Sequence, residues 1–362
     1  MHALRLYAGP IARQHIEQHG LRPEDVGAIP AAAGGPKGLI LGPLDRLLFG
    51  EWLPRSTQPV DLIGASIGAW RMATACLDDT VVAFRRLERD YISQHYEWRD
   101  GEKQPSADEV SRQFRHNLAS FFGGREAQVL GHARYRLHVV ASRGHGVLVR
   151  DGRWRTPLGY AAAFALNAVS RRSLAKLIDR VVFSGGQGVS LGVLPFATGD
   201  FPTHQVKLDG SNFMDALQAS CSIPFVLRPV HNIAGAPPGA YWDGGITDYH
   251  MHLRYRLPAA SPVVLYPHFQ RAVVPGWLDK SWKRRHLSSP ALDAMLVIAP
   301  DPQWVRSLPN GKLPDRTDFT RYGQDLAERV RVWRGATSAA QQLADEFAQW
   351  LERPDPRMVS PL

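Results

Sequence analysis

The segment that most limits what this chain can become is Gly64-Ala65-Ser66-Ile67-Gly68. It stands between the apolar run Val60-Asp61-Leu62-Ile63 and a series of good helix formers from Ala69 to Cys76. An apolar run, a glycine-flanked serine and a helical stretch in that order predict a strand, a sharp turn and a helix. Glycine is required on both flanks because strand and helix backbones must approach closely there. Ser66 then stands at the helix N-terminus with its hydroxyl exposed at the tip. Unpaired N–H groups and the positive end of the helix dipole favour negative charge at that point, on the serine oxygen or on a bound acyl carbonyl. The same five residues also suit an ordinary tight turn capped by serine, so the neighbouring segments must decide between the two.

A second unit of this kind lies just upstream. Residues 26–32 read as a short apolar strand and Gly34-Gly35-Pro36-Lys37-Gly38 as a glycine-rich turn; Leu39, Ile40, Leu44, Leu47, Leu48 and Phe49 then recur at helical spacing. Two consecutive βα units imply an α/β fold of three layers, a central mainly parallel sheet flanked by helices. Further strands are predicted at 136–142, 204–208, 263–266 and 295–299, and helices at 10–19 and 213–219. Residues 81–130 look helical and polar, with a loop at 101–106, and are a candidate cover or lid. Residues 152–194 interrupt the rhythm with an Ala-rich helix (160–166), a basic stretch (171–180) and a Gly-rich loop (184–188), and read as an insertion. Residues 301–362 read as a C-terminal helical extension whose apolar stripes, Phe319 to Trp333 and Leu343 to Trp350, belong to the core. With no repeat and no low-complexity linker, the whole of 1–362 reads as one domain with insertions.

Composition excludes several classes. Hydrophobic residues make up 44% and charged residues 21% of the 362, as in a soluble globular protein. The longest apolar stretch, 158–169, falls short of the ~20 residues that cross a bilayer. Charged residues and histidines interrupt the first twenty residues, so no cleaved leader is expected and the chain reads as cytosolic, at most peripheral to a membrane. Two cysteines, Cys76 and Cys221, make neither a metal cluster nor a disulfide framework, and read as buried thiols. The net charge of +9 is partly localised at Lys280, Lys283, Arg284 and Arg285, interleaved with Trp277 and Trp282. Cations with indoles suit transient contact with an anionic membrane surface, the plainer alternative being a solvated loop. No zinc finger, basic zipper or RNA-binding signature accompanies the charge, so nucleic acid is not an expected partner.

A serine hydroxyl becomes a useful nucleophile only if one group takes its proton and another holds the oxyanion that forms. The glycine-rich turn can supply the second function through successive N–H groups at a helix start, and because Pro36 has none the candidate donors are Gly34, Gly35, Lys37 and Gly38. A phosphate-binding loop is excluded by the order of residues, since Lys37 is followed by Gly38 and Leu39 rather than by Ser or Thr. The best candidate base lies in Tyr241-Trp242-Asp243-Gly244-Gly245, where the two glycines leave room for the serine turn. An aspartate in water is a weak base, so Asp243 serves only where burial raises its proton affinity.

Together these residues resemble the patatin-like phospholipase family. The glycine-rich turn, the Gly64–Gly68 elbow, the stretch Ala216-Leu217-Gln218-Ala219-Ser220-Cys221-Ser222-Ile223-Pro224-Phe225 and Asp243-Gly244-Gly245 match in order, over roughly residues 26–270. Ala33 departs from the pattern, which often begins with glycine. The resemblance implies a lipid acyl hydrolase with Ser66 as nucleophile, Asp243 as base, the Gly34–Gly38 turn as oxyanion hole, an acyl-enzyme intermediate, acyl-ester lipid substrates and no metal or cofactor. Two alternatives stand beside it. One is an α/β-hydrolase-type esterase whose base is a histidine after Asp243 (His250, His252, His268 or His286). The other is a catalytically silent, membrane-associated binding protein of the same fold.

Overall fold

In the computed structural model residues 1–96 and 105–362 are described, so positions 101–104 of the loop expected at 101–106 lie outside the described residues. The strands are β1 (Leu4–Ala8), β2 (Val26–Ala31), β3 (Val60–Ala65), β4 (Tyr135–Gly144), β5 (Ile178–Gly185), β6 (Thr203–Lys207), β7 (Val230–His231), β8 (Ala240–Asp243), β9 (Val263–Pro267), β10 (Met295–Pro300) and β11 (Val359–Pro361). They form one sheet in the order β11-β1-β10-β9-β2-β3-β4-β5-β6, with β8 on β4 and β7 on β8. From β10 to β4 every neighbour is parallel. Every residue of β2, β3, β9 and β10 is buried, which is why they read as continuous apolar runs rather than alternating ones. The expected α/β three-layer architecture is the observed one.

One detail of register positions everything that follows. β5 occupies one edge of β4 from Leu137 to Gly144. The opposite edge is shared: β3 runs along it as far as Ala65 opposite Val140, and β8 enters from the other direction and ends with Asp243 opposite Ala141. β3 and β8 thus meet head to head, and the residues leaving their ends, Ser66 and Asp243, are brought together although 177 positions separate them in the chain.

The helix Ile67–Ala75 is buried along its whole length. Its only cation, Arg71, makes two hydrogen bonds to buried Asp45, at 2.8 and 2.7 Å, which tie it to the helix Gly42–Leu47 behind the glycine-rich turn. The helices Thr80–Ile92 and Ala107–Phe122 pack on its outer side, where Trp70 meets Phe114 and Phe121 at ring separations of 5.3 and 5.8 Å.

Three segment readings need correction. The proposed insertion at 152–194 includes β5, which is buried throughout and paired along its length with β4. The basic stretch read at 171–180 runs into this strand with Arg180, but that guanidinium is fully buried and bonds Asp248 at 2.7 Å through each of two nitrogens. The C-terminal segment is not only an extension: it returns as β11 to pair with β1, a strand that sequence reading left out, and it contributes Arg316 and Phe319 to a cavity beside Ser66. The helix after the glycine-rich turn begins as a 3-10 segment, Gly35–Leu41, before the α-helical turns from Gly42. Among the described residues no helix is long and apolar enough to cross a membrane.

Candidate active site

Ser66 leaves β3 with φ 57° and ψ −131° and starts the helix Ile67–Ala75. A positive φ is costly for a residue with a side chain and persists only where surrounding contacts hold it. Here those contacts are explicit. A β-carbon on Gly68 would overlap the carbonyl of Ala31, so the elbow can lie against the end of β2 only with glycine at that position, and one on Gly64 would collide with the backbone of Ala69. The Ser66 N–H donates to Ser220 Oγ at 2.9 Å, and that hydroxyl in turn donates to the Val140 carbonyl at 2.6 Å.

The same stretch holds Asp243. Its N–H donates to the Ser222 carbonyl at 2.9 Å and the Gly244 N–H to the Ser220 carbonyl at 3.2 Å. A β-carbon on Gly244 would collide with the Val140 carbonyl, so this turn too can close only on glycine. Asp243 Oδ1 accepts the Gly245 N–H at 2.7 Å, whereas Oδ2 is buried without a hydrogen-bond partner. Burial pushes the carboxyl above its ordinary range; Arg316, the Ser66 hydroxyl, the Gly245 N–H and Lys280 pull the other way by favouring the ionised form. Cys221 lies in the same cluster, its thiol pushed far up by burial and by the Asp243 charge and eased by the Ser66 hydroxyl. An orphaned carboxylate oxygen beside a serine hydroxyl in a dry setting is a proton acceptor waiting for a donor.

The glycine-rich turn stands at the neighbouring end of β2. Among the described residues the N–H groups of Gly34 and Gly35 have no hydrogen-bond partner, and Pro36 has none to offer. The 3-10 segment that Gly34 caps draws both the Lys37 and the Gly38 N–H into its first i→i+3 bonds, to the Gly34 and Gly35 carbonyls, which removes these two from the donors expected from sequence. Ala33, the departure from the glycine pattern, donates its N–H to the Tyr249 carbonyl at 2.9 Å and packs its methyl against Gly245.

A cavity of about 470 Å³ opens above Ser66, walled by Trp70, Val110, Phe114, Ile223 and Phe319. Arg316 lines it too, its Nε 3.3 Å from where a side chain on Gly35 would begin. Sequence reading missed Arg316 because nothing in Asp315-Arg316-Thr317 marks it. Lys280, which sequence reading placed in a membrane-facing run, is exposed and holds its Nζ 4.3 Å from the Tyr249 ring centroid. Desolvation, together with Arg316 and Lys37, pushes the Lys280 ammonium down to about 8. Ser220 was matched only as part of a motif; its role as the bracket between elbow and Asp243 turn arises from the tertiary structure.

The histidines considered as alternative bases are engaged elsewhere. His250 and His268 are buried, and burial drives both down, His268 to about 3. His252 lies between the Val273 carbonyl and Ser289 Oγ, and His286 meets the Asp279 carbonyl. None of the four hydrogen-bonds Ser66 or Asp243. Compared with family models, curated proteins and solved structures, the chain finds no match.

Proposed function

We propose that the chain is a serine acyl hydrolase acting on lipid esters through a Ser66–Asp243 dyad, as its patatin-like motifs imply. The observation that carries this reading is the unpartnered, buried Asp243 Oδ2 beside the hydroxyl of a conformationally strained serine, at the floor of an apolar cavity. Asp243 takes the Ser66 proton as Oγ bonds to the ester carbonyl carbon. The resulting oxyanion accepts hydrogen bonds from the N–H groups of Gly34 and Gly35. Collapse breaks the ester C–O bond, and the proton on Asp243 passes to the leaving alcohol. Water then loses a proton to the same carboxylate, attacks the acyl-serine, and the acid departs as the proton returns to Oγ. The apolar walls suit an acyl chain, and Arg316, Lys37 and Lys280 suit a negatively charged group near the ester, as in a glycerophospholipid.

The test is covalent. A fluorophosphonate is expected to label Ser66, located by mass spectrometry, and to leave Ser66→Ala unlabelled; labelling elsewhere, or none, would overturn the proposal. The acid side of the pH profile is a second check. Activity needs ionised Asp243, so kcat/KM on a soluble ester is present above its folded-state pKa and lost as pH falls through it, at a midpoint above the ~3.9 of a free aspartate. Arg316→Met removes a cation that favours the ionised form, so this limb is expected to move to higher pH.

A further inference from the structure

The helix Arg155–Val169 has its polarity reversed. Its inward positions are Thr156, Gly159, Tyr160, Ala163 and Asn167, while its solvent face carries Leu158, Ala161, Ala162, Phe164, Ala165 and Val169. Leu158 is 64%, Phe164 44% and Val169 82% exposed, and Trp154 just before the helix is 72% exposed. A surface helix normally turns its polar stripe outward, and a helix apolar on its outer face is one that something else covers.

The surroundings say what covers it. Asp279, fully buried, accepts from Asn167 Nδ2 at 2.9 Å and pairs with Arg285 at 2.6 Å and with Arg171 at 3.1 Å; Arg285 also donates to the Asn167 carbonyl at 2.8 Å. This knot clamps the loop at 277–286 onto the helix and sets the Trp282 ring 6.4 Å from Phe164. Arg285 is therefore occupied in holding the loop, which corrects its expected place among lipid-facing cations, while Lys283 and Arg284 remain exposed. Arg153, Arg155 and Arg172 stand exposed at the two ends of the helix, and no carboxylate occurs in 155–169 or 280–286. The result is an apolar face with an indole on either side and a rim of cations.

We infer that this face, Leu158, Phe164 and Val169 flanked by Trp154 and Trp282 and rimmed by Arg153, Arg155, Lys283 and Arg284, seats the protein on an anionic lipid bilayer. Indoles partition to the headgroup layer, cations meet lipid phosphates, and the aliphatic stripe enters the acyl boundary. A second copy is a poor occupant because it would press one basic rim against another. The face also leads to the candidate site: Tyr160 packs beneath it at 5.8 Å from the Phe225 ring, and Phe225, 55% exposed with φ 69°, lines the cavity above Ser66. That last link rests on the lipid-hydrolase reading; the surface argument does not.

The experiment is sedimentation of the full chain with vesicles of phosphatidylcholine alone or mixed with phosphatidylglycerol. Wild type is expected to bind the anionic vesicles at least roughly tenfold more tightly than neutral ones, and high salt should remove most of that difference. Leu158→Glu with Phe164→Glu is expected to weaken binding at least roughly tenfold, with an unchanged melting temperature and unchanged turnover of a soluble short-chain ester. Lys283→Glu with Arg284→Glu should weaken the anionic-vesicle component specifically. Equal binding by the Leu158/Phe164 variant and wild type, no vesicle binding by wild type, or a wild-type dimer that this variant turns into a monomer would each overturn the inference. Vesicle binding without fluorophosphonate labelling would instead remove the hydrolase reading and leave the surface standing.

Discussion

Asp243→Asn is expected to lower kcat on a soluble carboxylic ester by about four powers of ten, with Ser66→Ala at least as severe. Asparagine keeps the shape of the side chain and can still accept the Gly245 N–H through its carbonyl oxygen, so folding and KM should change little. What disappears is the oxygen that has no partner in the resting protein and is free to receive the serine proton. Because nucleophile and base act as one unit, the double variant is expected to be no slower than the worse single one. Steady-state and burst kinetics on the three variants decide the matter. More than a tenth of wild-type turnover in Asp243→Asn, together with its abolition in His250→Ala, would transfer the base to histidine.

Arg180→Met is expected to destabilise the fold by about 3–5 kcal/mol, a large fraction of the ~5–15 kcal/mol that holds a domain together. The guanidinium is fully buried on β5 and shared between Asp248, at 2.7 Å, and Asp200, at 2.8 Å. Asp248 ends the short helix Gly245–Asp248 that follows the Asp243 turn, so removing the cation leaves a buried carboxylate directly behind the candidate site with only the more distant Arg171, at 3.7 Å, to balance it. Adding Asp248→Leu should recover most of the loss, since the penalty comes from an uncompensated charge rather than from the missing pair itself. Urea denaturation of the single and double variants reads both effects. A loss below about 1 kcal/mol in the single variant would mean that water reaches Asp248.

The βα units were readable because their signals are local. Fully buried parallel strands must be apolar along their whole length, and the glycines at 64, 68, 244 and 245 mark places where backbones touch. Elements whose stability comes from distant partners were not readable. β1 and β11 are short strands that exist because β10 offers an edge to β1, and β1 to β11. β5 was hidden by Arg180, since a charged residue in a short apolar run is normally a surface signal and becomes a core residue only when Asp248 and Asp200 arrive from elsewhere. The C-terminal stripe through Phe319 has the spacing of a core face, yet Phe319 walls a cavity, a distinction that periodicity cannot make.

By itself the sequence determined the class of fold, the serine elbow, the glycine-rich turn and the candidate carboxylate, because each depends on residue types within a few positions of one another. Only the tertiary structure decided that β3 and β8 meet end to end on one edge of β4, that Ser220 brackets their two turns, and that the charges of Arg316 and Lys280 favour the ionised carboxylate. It also decided which face of the helix Arg155–Val169 is left outside. These are matters of register and burial: a strand displaced by one residue would reverse its side chains, and the proton affinity of Asp243 depends on how much water the assembled layers exclude.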